Sequence, residues 1–220
     1  MSGHAPLPPH ECERARRLLM RRDPRLREVI KRVGPCRLPE SRQREPFPGL
    51  VRVVLAQQLS AKAAQTIFNR VVALTTMESG VLRPREDGGL MSPSQLLALD
   101  PVALRAAGVS RPKIAYLRDL AERVSDGRLP LEALETLPDD EVIAAITAVK
   151  GFGRWSAEMF LIFRLNRPDV LPLTDLGIIK GIQRLFGMKR RPAPRTMIRL
   201  AEPWRPYRSV ASWYLWRLHD

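Results

Sequence analysis

Between Val149 and Phe163 the chain reads VKGFGRWSAEMFLIF, and its glycine pair constrains the fold more than any other stretch. Gly151 and Gly153 flank one apolar residue. Glycine tolerates positive φ and carries no Cβ, so the backbone there can form a tight hairpin and approach another backbone closely. The apolar spacing after Gly153 predicts a helix that opens at the hairpin and presents its first, unpaired N–H groups to it. Those groups and the positive end of the helix dipole bind anions. Further on, LPLTDLGIIKG from Leu171 sets a carboxylate, Asp175, beside a second helix start. Across the 220 residues Lys and Arg number 37 against 23 Asp and Glu, a formal net charge of +14. A sequence pI near 11.0 is the electrostatic footprint of a nucleic-acid binder, which makes a DNA phosphate the anion this composition suggests. A solvated basic surface is the plainer reading of the same charge, and Gly-x-Gly alone is a weak signal.

The rest of the chain reads as a series of short helices. Apolar residues recur at helical spacing in Leu50, Val51, Val54 and Leu55, and again in Ala63, Ile67, Val71 and Leu74. Ser92-Pro93, Asp100-Pro101 and Leu137-Pro138 place proline at or near a first turn, while Gly108 and Gly127 sit where helices stop. Nothing alternates with strand period for long, and Glu78 to Gly89 reads as an exposed loop. With 45% hydrophobic residues the chain can bury one good core or two small lobes.

Several classes are disfavoured. Cys12 and Cys36 form no CxxC pair, so neither a zinc site nor a disulfide framework is signalled. His4, His10 and His219 lie near the ends without metal-ligand spacing and read as surface residues. No apolar run approaches the roughly 18 residues of a membrane span, and no signal-peptide apolar region opens the chain, so a soluble cytoplasmic protein with no membrane partner is expected. The arginine-rich stretch from Arg14 to Arg32 is interrupted by Asp23 and Glu28, and Leu18, Leu19, Leu26, Val29 and Ile30 look like core faces.

Five blocks carry a more specific signal. They are VRVVLAQQLSAKAAQTIFNRV from Val51, AAGVSRPKIAYLRDLA from Ala106, LPDDEVIAAITAVKGFGRWSAEMFLIF from Leu137, RPDVLPLTDLGIIKG from Arg167 and EPWRPYRSVASWYLW from Glu202. In this order they resemble the helix-hairpin-helix superfamily of DNA base-excision glycosylases, and within it the 3-methyladenine DNA glycosylase II group in a compact form lacking an N-terminal β domain. The resemblance implies an all-α fold of two helical lobes, residues 1–49 with 168–220 and residues 50–167, with the helix-hairpin-helix motif on the second and an active-site cleft between them. It implies a monomeric enzyme acting on double-stranded DNA that contains alkylated bases, nucleoid-associated if bacterial. No catalytic cofactor is implied, and the cysteines for the iron–sulfur cluster of some relatives are missing.

Residue roles follow from the same resemblance. Asp175 is the candidate catalytic carboxylate, stabilising oxocarbenium charge on the sugar or activating water; capping of a helix start is its ordinary alternative role. Thr174 stands where some relatives carry a second acid, and Asp169 is the runner-up. Trp155 and Trp216 match the pocket tryptophans, with π-faces suited to a cationic alkylated base. Trp204 and Trp213 read as core. Met159 and Leu176 also line the pocket and stand where some relatives have tyrosine. Gln58, with Leu59 next in line, matches the wedge that fills the gap left by a flipped base. Lys150, Gly151, Gly153, Arg154 and Ser156 are the expected DNA contacts of the hairpin. The carbonyls of Thr147, Val149 and Phe152 match a site for a monovalent cation, Na or K.

Relatives that also cut the backbone place an amine nucleophile where this chain has Trp155, so the resemblance implies a monofunctional, water-using enzyme. Two alternatives stay open: a non-catalytic helix-hairpin-helix DNA-binding protein, which would not need Asp175 and the tryptophans, and a glycosylase/lyase for oxidised or mismatched bases, which Trp155 and the missing cysteines disfavour.

Overall fold

The computed structural model describes residues 9–38, 45–78, 81–82 and 91–218. Its helices in chain order are α1 (Pro9–Arg22), α2 (Pro24–Val33), α3 (Pro46–Ala56), α4 (Ala61–Thr76), α5 (Pro93–Ala98), α6 (Pro101–Ala106), α7 (Arg111–Ser125), α8 (Asp139–Thr147), α9 (Arg154–Phe163), α10 (Leu176–Leu185), α11 (Pro194–Leu200) and α12 (Arg208–Trp216). No helix among the described residues is long and apolar enough to cross a membrane.

Local chemistry sets most of these boundaries. Prolines open α2, α3, α5, α6 and α11, where their missing N–H costs nothing. Ser92 and Gln95 close a reciprocal capping box at α5: Gln95 N–H donates to Ser92 Oγ at 3.1 Å, and Ser92 N–H donates to Gln95 Oε1 at 2.8 Å. Gly108 and Gly127 follow α6 and α7 with φ of 100° and 80°, the left-handed stop that glycine adopts without strain.

The loop expected from Glu78 to Gly89 is corrected at its start. Met77–Glu78 pairs antiparallel with Val81–Leu82, with Met77 opposite Leu82 and Glu78 opposite Val81. A two-residue ladder is too short for strand period to show in the sequence. Residues 79–80 and 83–89 of that expected loop lie outside the described residues.

The chain divides into two compact units, Met1–Arg42 with Leu161–Asp220, and Gln43–Phe160. Both junctions fall a few residues earlier than the sequence boundaries at 49/50 and 167/168. Phe47, Leu50, Val51, Val54 and Leu55 are buried along α3, which packs on α4 and α7, so all of α3 goes with the second unit. The last turn of α9 goes with the first unit, because Arg167 N–H bonds the Leu161 carbonyl at 2.9 Å and the Phe163 ring stacks on Trp216.

In the first unit the core is built on Leu19, Leu26, Ile30, Ile178, Ile182, Trp204 and Tyr214. Asp23 caps α2 through Oδ1, accepting from the Arg25 and Leu26 amides, while its Oδ2 accepts the Trp204 indole N–H at 2.8 Å. Trp204 and Trp213 are both buried, in keeping with the core role expected of them. In the second unit the core gathers Val54, Phe68, Leu96, Leu104, Leu117, Leu120, Val142 and Ile146.

Candidate active site

Asp175 is the N-cap of α10, with extended backbone (φ −68°, ψ 124°). Its Oδ1 accepts two hydrogen bonds: the Ile178 amide N–H donates at 2.8 Å and the Trp216 indole Nε1–H donates at 2.9 Å. The carboxylate is half-buried and sits at the positive end of the α10 dipole. Two donors on one oxygen fix its orientation, which a cap alone would not do.

The indole can reach Asp175 because α10 is bare on that side. A Cβ on Gly177 would lie 2.6 Å from Trp216 Cδ1, and one on Gly181 would lie 2.8 Å from Leu215 Cβ and 2.9 Å from the Leu215 carbonyl oxygen. These glycines are one turn apart on α10, so α12 settles against a strip with no side chains. The Phe163 ring stacks on Trp216, centroids 5.5 Å apart and 25° from parallel. Trp216 therefore holds the carboxylate and is itself backed by a ring, a role beyond the base pocket that the family resemblance implies for it. The GIIKG spacing in α10 was the available signal.

The other residues expected of the pocket belong to one unit or the other. Leu176, the first residue of α10, is 62% exposed beside Asp175. Trp155 and Met159 lie one turn apart on α9 in the second unit, Trp155 half-buried and Met159 buried. Asp169 is taken up elsewhere: Arg205 Nη1 donates to its Oδ2 at 2.7 Å, and Arg208 donates to Oδ1 through Nε at 2.7 Å and to Oδ2 through Nη2 at 3.0 Å. That knot makes Asp169 a structural acid.

At the hairpin the two glycines do different things. Gly151 has φ 79°, and a Cβ there would stand 2.2 Å from Tyr116 Cδ2, so glycine is required twice over. Gly153 has neither constraint, and a Cβ there would meet nothing within 4 Å. Its bareness is not used by the chain itself, and it leaves the mouth of α9 open to an approaching backbone. Lys150 is exposed, with its amide N–H donating to Asp119 Oδ2 at 2.8 Å. Arg154 is exposed and its Nε donates to Glu158 Oε1 at 3.0 Å one turn along. Ser156 differs from its expected role as a DNA contact: it is 2% exposed and its N–H bonds the Gly153 carbonyl at 3.0 Å. The first turn of α9 rotates this small residue inward, where the next residue, Ala157, is also buried.

Gln58 is another unusual backbone position, with Asn166 one of two non-glycine residues at positive φ among the described residues; its φ is 58°, and it is exposed together with Leu59 at 42%. Such a conformation costs about 1 kcal/mol or more and persists only when neighbours enforce it. Here Lys113 on α7 enforces it, its Nζ donating to the carbonyls of Leu55 and Gln57 at 2.8 Å each. Burial pushes the Lys113 ammonium below its ordinary range. Gln57 Nε2 in turn donates to the Gly151 carbonyl at 3.0 Å, tying this loop to the hairpin. Along α7, Lys113 thus grips the loop, Tyr116 covers Gly151 and Asp119 accepts from Lys150. Burial pushes the Asp119 carboxyl up, but hydrogen bonds from the Lys150 amide and Arg123 outweigh it and leave it below the usual range.

The family model described as HhH-GPD superfamily base excision DNA repair protein matches residues 51–206. The chain belongs to the HhH-GPD superfamily. Within it, the DNA-3-methyladenine glycosylase 1 of Schizosaccharomyces pombe is 36% identical over 197 residues, 89% of this chain and 82% of that protein. A solved structure of 3-methyladenine DNA glycosylase from the same organism, in complex with abasic DNA, is similar with a TM-score of 0.79 and 35% identity, covering 93% of this chain and 95% of that one. The DNA-3-methyladenine glycosidase of Bacillus halodurans gives a TM-score of 0.72 at 38% identity over 91% of this chain and 86% of that one.

For an HhH-GPD member the hairpin carbonyls are a further point of interest. Thr147 is the last residue of α8, in the turn where carbonyls lack helical partners. The Val149 carbonyl accepts from Phe152 N–H at 3.1 Å and keeps a second lone pair. Neutral carbonyl oxygens on a tight turn are a donor set that fits a weakly held monovalent cation and supplies no redox or Lewis-acid chemistry.

Proposed function

We propose that this chain is a monofunctional DNA glycosylase that extrudes alkylated purines of the 3-methyladenine type from duplex DNA and hydrolyses their N-glycosidic bond. The observation that carries the proposal is the Asp175 carboxylate, oriented by Ile178 N–H and Trp216 Nε1–H in a chain of this superfamily. Departure of the base develops oxocarbenium charge on the deoxyribose, and a carboxylate already oriented stabilises that charge without reorganising. The same group can orient the attacking water.

Extrusion costs a few kcal/mol of stacking and pairing, least at a damaged pair. Gln58, held outward at positive φ, fills the vacated position and offers an amide to the orphaned partner base. The Trp155 π-face attracts the cationic ring of an alkylated purine by roughly 0.5–2 kcal/mol. An indole at 155 provides no amine for a Schiff base, so water is the nucleophile and the abasic strand stays intact. The α9 mouth and Gly153 take a phosphate, and the Thr147, Val149 and Phe152 carbonyls hold a monovalent cation whose charge would support that contact. The protein works as a monomer on double-stranded DNA.

Incubating the protein with methylated duplex and identifying the released bases tests this reading. Free 3-methyladenine is expected, with strands cut only after alkali or heat and no covalent complex trapped by borohydride. Release of no alkylated base, or a trapped complex, would overturn it.

A further inference from the structure

From Leu176 to Ala201 the sequence contains no aspartate or glutamate. Its cations are arranged by three pieces of structure. On α10 the residues Ile178, Ile179, Gly181 and Ile182 are buried, which leaves Lys180 and Arg184, one turn apart, exposed on the other face. The chain then reverses at Gly187 (φ 62°), where Met188 N–H donates to the Gln183 carbonyl at 2.8 Å, and Lys189, Arg190 and Arg191 follow, all exposed. Finally α11 buries Met197 and exposes Arg195 and Arg199. A shallow depression of about 470 Å³, lined by Lys180, Gln183, Arg184, Gly187 and Met188, marks the end of α10.

Elsewhere in the protein many arginines are neutralised. On α1, Arg16 donates to both oxygens of Glu13 at 2.7 and 2.8 Å and Arg17 adds a third bond at 2.9 Å, holding the Glu13 carboxyl down to about 2. Arg123 pairs with Asp119, Arg128 with Asp126, and Arg205 and Arg208 with Asp169. Among the described residues no carboxylate pairs with any cation of the α10–α11 ridge, and Arg184 Nη1 instead donates to the Leu218 carbonyl. Seven like charges without counter-ions repel one another, and a polyanion laid along them removes that cost.

We infer that this ridge is a second duplex-binding surface, which takes the phosphate backbone away from the damaged base. The inference rests on the glycosylase reading, because that reading puts DNA at the start of α10. With a rise of 1.5 Å per residue, Lys180 and Arg184 stand roughly 7 and 14 Å along the helix from Asp175. Duplex DNA carries about one negative charge per 1.7 Å of its axis, so an arm of the bound duplex offers phosphates over that whole span. An acidic protein would meet the charge as well, but nothing else on the ridge selects one: it presents no exposed aromatic anchor.

The test measures affinity of the full chain for undamaged duplex across a salt series. In Lys189→Gln/Arg190→Gln/Arg191→Gln the log–log salt slope should become shallower by roughly 2 to 3, at about 0.9 for each phosphate no longer neutralised. Arg14→Gln/Arg17→Gln/Arg21→Gln on α1 removes the same charge and should leave the slope unchanged. Lys180→Gln/Arg195→Gln, one change on each helix, should make it shallower by roughly 2. Single-turnover excision at saturating enzyme should match wild type in every variant. An unchanged slope in the ridge variants, or an equal change in the α1 variant, would overturn the proposal. Wild-type protein that releases no base yet shows the ridge-specific slope difference would instead remove the glycosylase reading and leave the ridge standing.

Discussion

The Asp175 site and the Gln58–hairpin surface are built by opposite means. Asp175 is oriented by its own cap bond and by a side chain from α12 reaching across a glycine strip on α10, so its geometry depends on the Ile178 amide, one indole N–H and two absent Cβ atoms. The Gln58 loop and the hairpin are held at their carbonyls and amides by Lys113, Gln57 and Asp119, with Tyr116 packed over Gly151. One arrangement fixes a charge and the other fixes a backbone shape. Damage to the first should therefore appear in the rate of bond cleavage, and damage to the second in DNA affinity or in folding.

Asp175→Asn should break the first arrangement most severely. The amide oxygen can still accept from Ile178 N–H and Trp216 Nε1–H, and asparagine caps helices well, so the melting temperature should change little. What disappears is the charge. Single-turnover excision should fall on the order of 10²–10³-fold, about 3–4 kcal/mol, as for deletion of one preorganised electrostatic group. Affinity for an abasic-site duplex should hold or improve, since a negative charge near phosphates is gone. Near-wild-type excision by the folded variant would reduce Asp175 to a cap.

Gly151→Ala and Gly153→Ala test whether the second arrangement is a matter of shape. The alanine Cβ at 151 would stand 2.2 Å from the Tyr116 ring at φ 79°, so strain and overpacking together should cost about 2–4 kcal/mol, read as a lowered melting temperature. At 153 the added methyl meets open space, and the helix start should lose no more than about 1 kcal/mol. Its effect belongs to DNA, where the methyl occupies the approach to the α9 mouth and should weaken duplex binding. Equal melting temperatures for the two variants would show that Tyr116 yields and that the hairpin is not shape-limited.

The same contrast explains what the sequence made legible. Proline openings, glycine stops and apolar spacing are local signals, and the helices they imply are present. Asp175, Gly151 and Trp155 stood out because they sit at fixed offsets within contiguous motifs. The bond from Trp216 to Asp175 spans 41 positions and the grip of Lys113 on Leu55 spans 58. No local pattern encodes such pairings, and a lysine that ligates carbonyls looks like any surface lysine. Ser156 shows the converse, since its place in a DNA-facing motif said nothing about which way the first turn of α9 rotates it.

Lys113→Met keeps the length and apolar stem of the side chain and removes both hydrogen bonds to the loop. Charged hydrogen bonds of this kind contribute about 1.5–3 kcal/mol each before relaxation; water can reach the half-buried Gln57 in place of the ammonium, while Leu55 is buried. Affinity for an abasic-site duplex should fall about tenfold, or ~1.4 kcal/mol, as Gln58 relaxes from positive φ. Saturating single-turnover excision should stay close to wild type. A rate loss with unchanged affinity would mean that the loop feeds the chemistry, and the division between the two regions would fail.

The smallest expected effect separates two roles for Trp216. Trp216→Phe retains a ring to stack on Phe163 but deletes the Nε1–H that Asp175 accepts. If the ring served only to stack on the extruded base, a phenyl face would replace most of it and excision would change little. If it orients the carboxylate, Ile178 N–H remains as the other donor and excision should fall severalfold to about tenfold, up to ~1.4 kcal/mol, with duplex affinity unchanged. The double variant decides the matter. An orienting group has nothing left to orient once the charge is gone, so Trp216→Phe should cost almost nothing further in an Asp175→Asn background, a non-additivity of about the size of the single effect. Full additivity would instead make Trp216 a base contact acting independently of Asp175.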